Sequence, residues 1–361
     1  MKIKYYKLLK ITFVFILIFS FIVIYSASSV WSTYKYGNSY HYAMMQGFFI
    51  LISIFIYKIF SKIDTNVIYK YSDKLFIFSC ILLILVAVPF IGKEMNGSRS
   101  WFGIGPFGIQ PSELAKISTI IFTSKFLESK KIYYFKDFSK ILFASIFVFF
   151  LIMLEPDLGT SVIILVTSLA MIFISGAKKK YFFIMFFLFL AAFIVLVLVA
   201  PYRMRRITSF INPWNDPLDS GFQIIQSLYA IGPSGLLGRG LFNSIQKNFF
   251  LPEPQTDFIF SIIVEELGFV GAFIICFIYF MIIYIGIKVS LNAGSNFKKY
   301  LAFGITFSVG FQAVLNLMVA TSLVPITGVT LPFISYGGSS FLSSSVMVFI
   351  LLNIIKEDAI M

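Results

Sequence analysis

Ten apolar stretches cross the chain, near residues 9–29, 42–60, 75–91, 111–127, 141–155, 159–176, 181–201, 256–287, 300–321 and 335–355. A helix of about 20 apolar residues is long enough to span the roughly 30 Å hydrocarbon core of a bilayer. Inside that core only helices and closed barrels satisfy their own backbone groups, and barrel strands are about half this length. The pattern therefore predicts an all-α integral membrane protein with ten transmembrane helices in a single polytopic domain over 1–361. Composition agrees. Of 361 residues, 59% are hydrophobic and 12% charged, about half the charge of an ordinary soluble domain. Lysines precede the first stretch, which ends in Ser26-Ala27-Ser28. That pattern is shared with signal peptides, but a retained first helix suits a polytopic chain better.

The same composition removes much chemistry. His41 is the single histidine, so a His-rich metal site or a His-based triad is excluded. Cys80 and Cys276 both lie in apolar runs and imply neither a disulfide framework nor a thiolate cluster. The chain has no P-loop and no Gly-rich dinucleotide fingerprint. An organic cofactor and a nucleic-acid partner are accordingly not expected.

Lysine position sets the direction of the spans. Lys2, Lys4, Lys7 and Lys10 precede the first; Lys58, Lys62, Lys70 and Lys74 flank the second connection; Lys125, Lys130, Lys131, Lys136 and Lys140 the fourth. Lys178 to Lys180 fill the sixth, Lys288, Lys298 and Lys299 the eighth, and Lys356 follows the last. Basic residues concentrate on the cytoplasmic side, so both termini are predicted inside. The large segment 202–255, between spans seven and eight, is then outside, together with every arginine: Arg99, Arg203, Arg205, Arg206 and Arg239. Arginine grips phosphate with a planar two-pronged fork. These five and Lys247 are the candidates for binding substrate phosphates. Lipid headgroups are also expected partners. With short inside loops, any chemistry belongs at the outer face, on a substrate already energised and tethered to lipid.

Ionisable groups at membrane depth are costly and are functional candidates. Glu113 and Lys116 are three apart, share a helix face and can pair, and Pro111 suits the first turn of their helix. Gly103, Gly105, Pro106 and Gly108 before them describe a tight outer loop. Asp157 can cap the sixth helix, with substrate or metal contact as the other role open to it. Asp257 stands where the outer segment enters span eight. Glu265 would lie about 12 Å deeper than Asp257 along that helix, beyond the roughly 6.5–9.5 Å of an inverting carboxylate pair. Asp257 thus reads as a lone base, a metal ligand or a helix cap, and Glu265 and Glu266 as buried polar structure. Pro325 to Ser340 carries no charge; a Gly/Pro-rich stretch at this depth must line a cavity or be buried, which predicts an outward-facing pocket with Ser335 and Ser339 among its polar groups.

Arg99-Ser-Trp101, Gln110-Pro-Ser-Glu-Leu-Ala-Lys116, Pro156-Asp-Leu-Gly-Thr160, Leu251-Pro-Glu-Pro-Gln-Thr-Asp-Phe-Ile-Phe260, Glu265-Glu-Leu-Gly268 and Leu331-Pro-Phe-Ile-Ser-Tyr-Gly-Gly-Ser-Ser340 together resemble the SEDS family of bacterial peptidoglycan glycosyltransferases. Arg205-Arg-Ile-Thr-Ser-Phe-Ile-Asn-Pro-Trp214 and Gly221-Phe-Gln-Ile-Ile-Gln-Ser227 look more like its FtsW and SpoVE branch than like RodA. The resemblance implies ten helices around an outer cavity, lipid II as donor and acceptor, and Asp257 as the catalytic residue. A divalent cation (Mg or Mn) is possible there. It also implies a class B penicillin-binding protein as partner, among division or sporulation proteins, in a bacterial cell membrane at the septum or around the forespore. A lipid II flippase is the rival function, and a structural scaffold the third.

Overall fold

The structure, a computed structural model, describes residues 2–95, 98–104, 107–129, 132, 134–199, 204, 208–219 and 221–360. Among the described residues a long helix occupies each of the ten apolar stretches. These are α1 (Lys2–Tyr36), α2 (His41–Phe60), α3 (Thr65–Ala87), α4 (Pro111–Ser129), α5 (Phe135–Met153), α6 (Leu158–Ile174) and α7 (Lys179–Val199), then α9 (Ile259–Leu291), α10 (Asn296–Ala320) and α11 (Gly338–Ile360). The short α8 (Phe222–Ile231) lies between the two groups. By the length and composition of the described residues, five of them, α1, α2, α9, α10 and α11, are able to cross a membrane. Charged residues interrupt α3, α4 and α5, and α6 has 17 residues.

Local chemistry explains where the helices begin and stop. Asp64 caps α3 by accepting from the Asn66 amide at 2.8 Å. The helix ends because Pro89 pushes Val88 into extended conformation (ψ 130°). Helix α3 therefore starts about ten residues before the apolar stretch does, since its first turns are amphipathic rather than apolar. Pro111 opens α4, and Ser295 caps α10 through the Lys298 amide.

The segment before α4 departs from the expected tight loop. It forms a three-stranded antiparallel sheet of β1 (Lys93–Met95), β2 (Ser98–Ile104) and β3 (Phe107–Ile109), with Glu94 opposite Arg99 and Gly103 opposite Gly108. Trp101 on β2 lies over Gly108, where a Cβ would come within 2.7 Å of its ring. The Ser98 hydroxyl donates to the Glu155 carbonyl, tying the sheet to the turn between α5 and α6.

Between lipid-facing helices the hydrophobic effect is weak, so small residues and interhelical hydrogen bonds do much of the packing. Gly286 of α9 abuts Thr306 of α10 with no room for a Cβ. Phe13 of α1 meets Phe333 and Phe349 edge to face, at 5.8 and 5.5 Å. At one end of the bundle the last turns of α11 are pinned. Glu357 accepts from the Thr65 amide and hydroxyl, and Lys298 pairs with Glu357 and Asp358, both at 2.9 Å. The opposite end carries residues 221–255 and is called the loop end below. There α8 is held by Ser227, which donates to the Ala320 carbonyl and shares a 2.6 Å hydrogen bond with Ser261.

Candidate active site

Asp257 is half-buried at the loop end, one residue before the cap position of α9, which Phe258 occupies without a side-chain cap bond. The backbone around it is clamped. Asn316, fully buried on α10, donates from one amide nitrogen to the Asp257 carbonyl at 2.8 Å and to the Val329 carbonyl at 2.7 Å. Ser335 donates to the Thr256 carbonyl at 2.7 Å and accepts from the Leu331 amide, and the Tyr336 amide donates to the Gln255 carbonyl at 2.8 Å. The uncharged 325–340 stretch is thus stitched to the approach of α9. Gly328, with positive φ, faces the carboxylate: a Cβ there would stand 3.8 Å from Asp257 Oδ2. Ser335 serves the backbone of this wall.

The other side of the wall is lined by α4, α6 and α10. Asp157 caps α6 by accepting from the Thr160 amide at 2.9 Å, and Gln110 reaches its other oxygen at 3.4 Å. Capping accounts for one carboxylate oxygen and leaves the second turned to Gln110. Gly159, two residues on, packs so tightly against Val329 and Thr327 that no side chain fits. Glu113 and Lys116 pair at 2.8 Å, with side chains 8% and 1% exposed. The same ammonium donates to Gln312 at 2.8 Å, and Gln312 donates to the Thr330 carbonyl at 3.0 Å. Ser339 accepts from the Gln110 amide and donates to the Gly108 carbonyl. One polar network therefore runs from the sheet, through α4 and α10, to the wall beside Asp257. Gln312 and Asn316 were not singled out in the sequence, yet two amide side chains four apart in an apolar helix mark one face.

Glu265 and Glu266 are buried in a second cluster. Glu265 accepts from the Ser244 hydroxyl and from the amides of Ile245 and Gln246. Glu266 accepts from Ser26 of α1 at 2.6 Å and from Lys247 at 3.0 Å. Lys247 is 5% exposed and also donates to the Phe242 carbonyl. This corrects the expectation that it holds substrate phosphate: its ammonium is turned inward because the buried Glu266 carboxylate needs a counter-charge. Arg239 approaches Glu265 at 3.5 Å but keeps its side chain 46% exposed, so its fork is accessible. Arg99 makes a 3.5 Å, half-exposed contact with Glu94. Arg203, Arg205 and Arg206 lie outside the described residues.

A groove of about 450 Å³ runs between α3, α4 and α11. Gln110, Glu113, Ser339 and Ser343 line its loop end, and Val67, Ile68, Leu75, Leu114, Ile121, Val346 and Ile350 its length. Among the described residues no three His, Cys, Asp or Glu side chains converge as a metal site. A Mg or Mn ion at Asp257 would take its remaining ligands from water and substrate oxygens, as Mg commonly does.

The family model FTSW_RODA_SPOVE, described as cell cycle protein, matches residues 6–360. Stage V sporulation protein E of Bacillus subtilis (strain 168) is 46% identical over 287 residues, 79% of this chain and 78% of that protein. An FtsW of Aliivibrio salmonicida, named as a probable peptidoglycan glycosyltransferase, is 41% identical over 320 residues, 87% of this chain and 80% of that one. A solved chain, described as "Structural coordination of polymerization and crosslinking by a peptidoglycan synthase complex", superposes with TM-score 0.81 at 26% identity over 97% of both chains. The rod shape determining protein RodA of Thermus thermophilus shares the fold, with TM-score 0.72 at 24% identity over 97% of this chain and 96% of that one. With its family model matched from residue 6 to residue 360, this chain belongs to the FtsW/RodA/SpoVE family of cell cycle proteins.

Proposed function

We propose that this chain polymerises lipid II into glycan strands at the outer face of a bacterial cell membrane. It is a peptidoglycan glycosyltransferase of cell division or sporulation, a reading supported by one relative named as a probable peptidoglycan glycosyltransferase FtsW and another named as a stage V sporulation protein. All ten long helices cross the membrane, both termini are cytoplasmic, and the loop end faces out. Septum or forespore membrane is the expected site of action.

The observation that carries the reading is Asp257, a half-buried carboxylate on a backbone fixed from two sides, at the edge of a charge-free wall. Its carboxylate accepts the proton of the acceptor sugar hydroxyl as that oxygen attacks the donor anomeric carbon. The bond from that carbon to pyrophosphate breaks, undecaprenyl pyrophosphate leaves, and the configuration inverts. A rigidly held base is the requirement for such a step. Negative charge grows on the leaving group, and Arg99 and Arg239, with Arg203, Arg205 and Arg206 from the sequence, are the candidates to meet it. The apolar groove suits an isoprenoid tail, with its polar end nearest the head group. A divalent cation, if bound, would help neutralise the pyrophosphate; the proton transfer belongs to Asp257.

A class B penicillin-binding protein is the proposed partner, and the likeness to a chain of a peptidoglycan synthase complex supports that reading. Purified protein supplied with lipid II separates the functions: glycan polymer is the expected product. Lipid II transfer between leaflets without polymer would make the protein a flippase, and neither activity would leave a scaffold.

A further inference from the structure

Helix α9 is not one continuous helix. Gly268, with φ 64° and ψ −152°, breaks it nine residues after its start. In an unbroken helix the amides of Phe269 and Val270 would bond to the carbonyls of Glu265 and Glu266. Here they bond instead to Gly235 at 2.9 Å and Leu236 at 3.2 Å. The two abandoned carbonyls accept from Arg239 and Gly240, both at 2.9 Å. Residues 235–240 of the large loop are thus inserted into the helix ladder, supplying acceptors to the half below the break and donors to the half above. Two glycines make the insertion possible. Gly238, also at positive φ, stands where a Cβ would come within 2.5 Å of the Glu266 carbonyl carbon, and a Cβ on Gly268 would meet Leu236 at the same distance.

The side chains above the break complete the lock. Glu265 takes three hydrogen bonds from residues 244–246, and Glu266 takes the Lys247 ammonium and the Ser26 hydroxyl. The half-helix Ile259–Leu267 is about 13 Å long at 1.5 Å per residue. Its lower end is fastened to the loop and α1, and its upper end carries Asp257.

We propose that the 235–247 segment sets the position of Asp257 by holding this half-helix in register, with Lys247 and Glu266 as positioning residues for the glycosyl transfer. The inference rests on Asp257 being the base. Neither residue touches the reacting atoms. Because the backbone ladder is interrupted at Gly268, the lower half of α9 does not impose its register on the upper half, and the loop does.

The test uses the purified full chain and lipid II, comparing wild type with Lys247→Gln, Lys247→Arg, Ser26→Ala and Asp257→Asn. Each is measured for kcat, KM, thermal stability and amide hydrogen exchange. A displacement of the base on the ångström scale costs up to about a hundredfold in rate, so Lys247→Gln is expected to lower kcat by about tenfold to a hundredfold with KM unchanged. Exchange should rise within Ile259–Leu267 and in the 242–247 loop that Lys247 also holds, but not in the lower half of α9, and Lys247→Arg should recover most of the rate. If Lys247→Gln does not accumulate, Ser26→Ala, which removes a donor without stranding a charge, carries the same comparison. Raised exchange in Ile259–Leu267 with wild-type kcat would overturn the proposal, as would a lost kcat with unchanged exchange. An active Asp257→Asn would instead overturn the base itself, so the two failures are told apart.

Discussion

Replacing Lys116 by alanine removes the cation from a pair that the fold has taken almost wholly out of contact with solvent. The ammonium is 2.8 Å from Glu113 and 2.8 Å from the Gln312 carbonyl oxygen, and its side chain is 1% exposed. Losing one partner of a buried pair costs about 3–5 kcal/mol, because the other charge remains in a medium that cannot solvate it. Gln312 loses its donor as well, and an unsatisfied buried acceptor adds about 1–3 kcal/mol. Set against a total folding stability of about 5–15 kcal/mol, Lys116→Ala is expected to give low membrane abundance and an early-melting protein in detergent. Fluorescence-detected size exclusion after a heating series reads both. Glu113→Gln with Lys116→Met removes both charges at similar volume and should recover most of the lost abundance. Normal abundance and melting of Lys116→Ala would instead place the pair among groups that touch substrate. A double variant as unstable as the single would show that an uncompensated charge is not the cause.

Asn316→Ala deletes both bonds that hold the Asp257 and Val329 carbonyls; at about 1 kcal/mol each the protein should still fold, while kcat falls in the polymerisation assay. Leu114→Trp should fill the groove between α3, α4 and α11 and raise KM for lipid II, with a smaller effect on a short-chain isoprenoid analogue. Equal effects on both substrates would mean the tail lies elsewhere. Arg239→Lys keeps the charge and removes the fork; a lower polymerisation rate is expected, and an unchanged one would reduce this exposed side chain to its contact with Glu265.

Much of this architecture is local and was legible in the residues. Apolar runs mark where the long helices lie, five of them of bilayer length, the spacing of Glu113 and Lys116 marks their pair, and Pro156-Asp157 marks the cap of α6. What stayed hidden depends on contacts distant in the chain. Lys247 lies in an irregular segment with no periodicity to give it a face, and it turns inward toward Ser26 and Glu266, one of them more than 200 positions away. The break at Gly268 hides in an apolar helix, where an isolated glycine is tolerated, and only the inserted loop explains it. The sheet at 93–109 carries glycines rather than the alternation that betrays a strand. Gln312 and Asn316 could have been found, since amide pairs four apart on a membrane helix need partners.

If Asp257 is the general base, Asp257→Asn removes catalysis and leaves the fold intact. Asparagine keeps the size and hydrogen-bonding reach of the side chain but cannot take up the acceptor proton, so the Asn316 and Ser335 clamps on the neighbouring backbone should hold and the protein should insert and melt like wild type. General-base catalysis contributes about 10²–10⁴ in rate, and polymerisation of lipid II by the purified variant is predicted to fall by at least the lower figure. A normally inserted Asp257→Asn protein that polymerises lipid II at close to the wild-type rate would contradict the account.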